Sequence, residues 1–222
     1  MLDWHKGGGR APGPGSFGVR FFMMLNWNEL EAQCLSCQKC ALADKRTNVV
    51  FGVGPRDAEV MFIGEAPGKN EDLQGEPFVG AAGKLLNQML ERIGLAREDI
   101  YIANILKCRP PGNRDPKPEE IEVCTPWLRE QVKAVHPTVL VTMGNFSTKF
   151  ILQTNTGITR LRGKIHVTGP FRVIPTFHPA AAIYDRSKIG AIEQDFDLIK
   201  LLLDTDAARE KAGRDDEEAN HD

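Results

Sequence analysis

No stretch of this 222-residue chain approaches the ~20 consecutive apolar residues that a bilayer-spanning helix needs, which argues against an integral membrane protein and a membrane partner. The first twenty residues, MLDWHKGGGRAPGPGSFGVR, are polar and rich in Gly and Pro. They lack the apolar core of a signal peptide, so export is not expected. The expected setting is the cytoplasm, and the expected state is a monomer. Five cysteines in a reducing compartment more often bind metal than form disulfides. A strong charge of one sign is also missing: the net charge is −2, which by itself argues against a nucleic-acid partner. The distribution is uneven, however. Residues 205–222 hold seven acids and three bases, net −4, so residues 1–204 carry +2 of the total −2. A mildly basic body permits DNA binding without predicting it. There is no internal repeat.

What is present divides the chain in three. Residues 1–22 have turn chemistry and no periodicity, which predicts a disordered extension. Met23 or Met24 is a second candidate start. Residues 205–222 read by composition as a disordered acidic tail. Between them, 23–204 reads as one domain. Asn26 or Asn28 is a candidate N-cap for a short helix through the first cysteines. Four short apolar runs predict strands: EVMFI (59–63), IYIANI (100–105), TVLVTM (138–143) and RVIPTF (172–177). Helical spacing predicts helices over 82–93, 117–135, 145–152 and 189–203. Strands alternating with helices imply an α/β three-layer sandwich around a mostly parallel, four-stranded sheet. Right-handed crossovers line up the loops after each strand along one edge. The first of those loops, GEAPGKNED (64–72), is dense in Gly and carboxylates, as expected of a ligand site. It is not a phosphate loop of the G-x4-G-K-[ST] type, because positions 63 and 70 are Ile and Asn.

Cys34, Cys37 and Cys40 are spaced C-x2-C-x2-C, and Cys108 and Cys124 follow far downstream. Cys37, Cys40 and Cys108 lie among polar residues and turns, not in apolar periods, so a four-thiolate site is a better reading than buried packing. Spacing alone leaves zinc and a [4Fe–4S] cluster level.

GEAPG, EDLQGEPFVGAAGKLL, YIANILKCRPPGNRDP and PTFHPAA together resemble the family 4 uracil-DNA glycosylases, the iron–sulfur branch of that superfamily. The resemblance spans about residues 37–204. It implies a uracil-DNA glycosylase-like fold and a monofunctional enzyme of base excision repair. Such an enzyme flips uracil out of single- or double-stranded DNA, hydrolyses the N-glycosidic bond and leaves an abasic site. It also implies a [4Fe–4S] cluster on Cys37, Cys40, Cys108 and Cys124, with Cys34 spare.

Within that resemblance, His178 would donate an N–H to uracil O2 as negative charge builds there. The amide of Asn104 would read O4 and N3–H and mismatch cytosine. Phe78 would stack on the base, while Phe62 and Phe51 belong to the core. Ala66 and Gly68 would line the base-binding loop. Ala66 stands where the best-known uracil glycosylases carry a water-activating aspartate, which leaves Glu65 and Glu71 as equal candidates for that task. The family pattern implies no protein nucleophile and no lyase step. Arg46, Lys69, Lys107, Arg109, Arg114, Arg160, Arg162, Lys164, Arg186 and Lys188 are candidate phosphate contacts. Gly68 and the Gly80–Gly83 turn would let the backbone approach DNA, with Ile183 or Tyr184 a candidate wedge. Two alternatives compete: a relative that crosslinks covalently to uracil-DNA, and a non-enzymatic iron–sulfur DNA-binding module. The first needs a basic insertion after the second strand that this chain lacks. The second leaves Asn104, His178 and the carboxylate loop without a task.

Overall fold

The computed structural model describes the backbone of residues 26–219 and the side chains of 26–208; the extension expected over 1–22 lies outside them. Helix α1 (Trp27–Leu35) begins at Asn26, whose side chain accepts from the Glu29 amide at 3.0 Å while the Glu29 carboxylate accepts from the Asn26 amide at 3.1 Å. This reciprocal cap satisfies two amide donors left open at the helix start.

Strand β1 (Val60–Gly64) sits inside the sheet between β2 (Ile100–Asn104) and β3 (Val139–Met143). All three are buried along their length, as strands covered on both faces must be. The sheet order is β2-β1-β3-β5-β4, with β5 (Phe171–Thr176) parallel to β3 and β4 (His166–Thr168) antiparallel at the edge. The four predicted strands are all present, but the sheet has five. The extra strand is three residues long with Val167 exposed, too short and too polar to show a period of two.

Alternation along the strands sorts side chains into two cores. Met61, Ile63, Tyr101, Ala103 and Leu140 face α1 and α4 (Pro118–Val135). Val60, Phe62, Ile102 and Val141 face α3 (Ala81–Arg92) and α8 (Ile189–Ala219). The result is the expected three-layer sandwich, and Phe51 and Phe62 pack in its cores. Helix α5 (Asn145–Leu152) has the predicted bounds. Among the described residues there are three further short α-helices: α2 (Lys69–Gln74), α6 (Ile158–Leu161) and α7 (Pro179–Tyr184).

The backbone at 205–219 departs from expectation. It continues α8 instead of ending in an unstructured tail. Low apolar content denies a segment a core of its own but not helix propensity, and Ala, Glu, Lys and Arg are strong helix formers. Arg172 on β5 also pairs with Asp206 at 2.5 Å, tying the start of the extension to the sheet. No helix among the described residues is long and apolar enough to cross a membrane.

Candidate functional site

The chain leaves β1, β2 and β5 at the same edge of the sheet, and the loops that follow enclose a cavity of about 400 Å³. Its walls include Glu65, Ala66, Gly68, Glu71, Phe78, Asn104 and His178, seven residues drawn from four separate motifs. Pro110, Asn113, Arg114 and Tyr184 line it as well. The strand ends therefore converge where the sequence placed a ligand.

Asn104 ends β2 and pairs in register with Gly64 at the end of β1. It is 2% exposed, and its Oδ1 has no hydrogen-bond partner. A buried acceptor left unmade costs about 1–3 kcal/mol, so this atom is poised for a donor that the protein does not supply. Gly64 makes room for it: a Cβ there would lie 2.2 Å from Asn104 Oδ1 and 2.9 Å from the tip of the Phe78 ring.

His178 follows β5 and caps α7, with its Nδ1 accepting the Ala180 amide at 3.1 Å. That bond puts the ring proton of the neutral form on Nε2. Burial pushes the imidazole pKa down to about 4, despite the raising effect of Glu71. The site thus holds a neutral Nε2–H donor at physiological pH. Behind it, Thr176 donates to Asp195 Oδ2 at 2.7 Å, and Arg162 forks onto the same carboxylate at 2.8 and 3.0 Å. Asp195 is completely buried.

Phe78 lies 5.4 Å from the His178 ring, centroid to centroid, with the planes inclined at 26°. Its backbone sits at φ +55°, a left-handed conformation that costs a non-glycine residue on the order of 1 kcal/mol. Glu71 braces this loop: its Oε1 accepts from the Val79 and Gly80 amides, each at 3.0 Å. Glu65 makes no such side-chain bond among those resolved. Burial first, and the negative charge of Asp115 second, push its carboxyl up to about 7. The two carboxylates that sequence left level thus occupy different settings, one bound to the backbone and one strained toward the neutral form.

Three expectations about DNA contacts change. Lys107 is 1% exposed and cannot touch a phosphate; its Nζ donates to the Asn104 carbonyl at 3.0 Å and to Gln131 Oε1 at 2.6 Å. Arg162 is turned inward onto Asp195 and stacks over Phe177. Gly83, expected to let the backbone approach DNA, is instead needed for packing: a Cβ there would fall 1.6 Å from the Phe78 carbonyl oxygen, so α3 needs glycine to sit on that loop. Arg114 lines the cavity while paired to Glu120 at 2.5 Å. The Lys107–Gln131 and Thr176–Asp195 supports escaped sequence reading, because nothing in their spacing marks long-range partners.

All five cysteines border a second, small cavity beside Trp127. Cys34, Cys108 and Cys124 are buried, whereas Cys37 and Cys40 are half-exposed in the turns after α1. Arg46 donates to Cys108 Sγ at 3.5 Å, and the Lys107 amide to Cys124 Sγ at 3.2 Å. Among the described residues, no three His, Cys, Asp or Glu side chains converge on a single ion position.

Comparison with known proteins matches residues 51–202 to the uracil DNA glycosylase superfamily. A type-4 uracil-DNA glycosylase of Archaeoglobus fulgidus is 47% identical over 187 residues, which is 81% of this chain and 94% of that protein. Enzymes of the same name from Sulfurisphaera tokodaii and Saccharolobus solfataricus are 46% and 43% identical. Those matches cover 82% and 81% of this chain, and 87% and 88% of the relatives.

Proposed function

The chain belongs to the uracil DNA glycosylase superfamily, and on that premise we propose that it is a monofunctional uracil-DNA glycosylase of the type-4 kind. It takes uracil out of DNA, hydrolyses the N-glycosidic bond and leaves an abasic site, as a cytoplasmic monomer. The observation that carries this reading is the unpartnered Oδ1 of buried Asn104, a residue that lines the same cavity as His178.

The chemistry follows from the demands of the bond. Its cleavage leaves positive charge on deoxyribose and negative charge on uracil. A flipped uracil presents N3–H, which satisfies Asn104 Oδ1, and O4, which accepts from the amide nitrogen. Cytosine presents a bare N3 and an amino group there, so both amide atoms would face like partners. A site built to hydrogen-bond one pattern rejects its analogue by about 10⁴-fold or more. The neutral His178 Nε2–H addresses O2 and stabilises the departing anion, a role in which one donor is worth about 10²–10³ in rate. Phe78 supplies the stacking face, and Ala66 and Gly68 line the entry without crowding it. Of the two carboxylates we assign water activation to Glu65, because the Glu71 oxygen is already committed to two amides. Water, oriented by the Glu65 carboxylate, adds its oxygen to C1′ and gives up a proton to that carboxylate as the C1′–N1 bond breaks. Uracil leaves with the bonding electron pair.

The thiols suit a [4Fe–4S] cluster on Cys37, Cys40, Cys108 and Cys124, as the family resemblance implies. They border one cavity, N–H groups are aimed at two of the sulfurs, and the half-exposed pair lies in the turns that follow α1. Such a group would crosslink the end of α1 to the 108–124 segment.

The test is a duplex or single-stranded oligonucleotide with one uracil, treated with protein and then alkali. Strand breakage at uracil by the parent, and its loss in His178→Ala and Asn104→Ala, is the expected result. An intact strand with the parent protein would exclude the assignment.

A further inference from the structure

Phe78 is held by a side chain that neither lines the cavity nor belongs to any motif quoted above. Arg97 lies in the turn before β2 and reaches the 76–80 loop between α2 and α3. One guanidinium nitrogen donates to the Pro77 carbonyl at 2.8 Å; the other donates to the Phe78 carbonyl at 3.1 Å and to Asn87 Oδ1 on α3 at 3.3 Å. The group is half-buried. Its planar fork suits two adjacent acceptors in a way that a lysine ammonium does not.

Four consecutive backbone groups of this loop are thereby held by charge. Arg97 takes the carbonyls of Pro77 and Phe78 from one side, and Glu71 takes the amides of Val79 and Gly80 from the other. Between the two anchors the chain is forced through φ +55° at Phe78. That turn carries the buried ring against His178 and close to Asn104. Without the Arg97 bonds the carbonyls lose their side-chain donors, and the strained residue gains freedom to relax toward ordinary φ. Relaxation there swings the ring.

We propose that Arg97 is a positioning residue for base capture, acting on uracil only through Phe78. This deepens the glycosylase reading and rests on it. Single-turnover cleavage of a uracil oligonucleotide, over a range of excess enzyme, separates capture from chemistry in four proteins: parent, Arg97→Met, Phe78→Leu and the double variant. Melting curves set an assay temperature at which all four are folded. Misplacement of a substrate-positioning group by about an ångström costs on the order of 10²-fold, so Arg97→Met is expected to lower cleavage efficiency by about 10- to 100-fold in the parent. In the Phe78→Leu background the same change should cost less than about twofold, because coupled residues do not add. Arg97→Lys should recover only part of the loss, and it carries the same cycle if the methionine variant does not fold. An equal loss in both backgrounds would make Arg97 a general support of the fold and overturn the proposal. A parent that leaves uracil-DNA intact overturns the glycosylase reading as well, so the two failures are distinct.

Discussion

Replacing Glu65 with glutamine is expected to reduce activity and raise stability, and the second effect has a calculable size and pH dependence. The Glu65 carboxyl is pushed from 4.5 to about 7 by burial and by Asp115. Between those values the folded protein keeps a proton that the unfolded chain releases. Stability therefore falls as pH rises through this window and levels off above about 7. At about 1.4 kcal/mol per pH unit the cost approaches roughly 3 kcal/mol, and water at the cavity mouth screens it to about 2 kcal/mol.

His178 works in the opposite sense. Its imidazole is pushed from 6.5 down to about 4, so the unfolded chain binds a proton that the folded site refuses, and stability falls as pH drops through that range. The two effects offset one another in the parent, and only the difference between parent and Glu65→Gln isolates the carboxylate. Melting temperatures at pH 4 and pH 8 should coincide at the lower value. At the higher value they should separate by about 5 °C in favour of the variant, from the usual scaling for a chain of this size. Single-turnover cleavage by the parent should rise with one ionisation near pH 7, and the rise should vanish in Glu65→Gln yet persist in Glu71→Gln. A stability gap that is absent at pH 8, or largest at pH 4, would refute the reasoning.

Other substitutions probe the rest of the site. Asn104→Ala removes the orphaned acceptor and the reading of N3–H and O4; cleavage of uracil-DNA should drop by at least about 10²-fold while the melting temperature holds. A variant that keeps its rate would displace Asn104 from recognition. Asp195→Asn leaves Arg162 without its buried counter-charge and should cost about 3 kcal/mol, read as a lowered denaturation midpoint; an unchanged midpoint would mean the pair does not hold β5. Cys34→Ser should keep the visible absorption of an iron–sulfur centre and Cys40→Ser should lose it, with iron and sulfide analysis separating such a centre from zinc. The opposite pattern would move the ligand set.

Local physics made much of this protein legible before any coordinates. Unbroken apolar runs marked β1, β2, β3 and β5, and helical spacing marked α3, α4, α5 and the start of α8. Of the two candidate caps, Asn26 and Asn28, the structure uses Asn26, and the motifs placed Glu65, Asn104 and His178 at or just beyond strand ends that share an edge. Each of these signals is carried by neighbours a few residues apart.

Tertiary structure decided what depends on distant partners. It turned Lys107 and Arg162 from surface cations into inward-facing supports, because Gln131 on α4 and Asp195 on α8 wait for them. It separated Glu65 from Glu71, since a carboxylate's role follows from the amides and charges that surround it. It also left one acceptor of Asn104 empty. A hydrogen bond withheld inside a folded protein exists only once every competing donor has been placed, and no sequence pattern encodes a partner that fails to arrive.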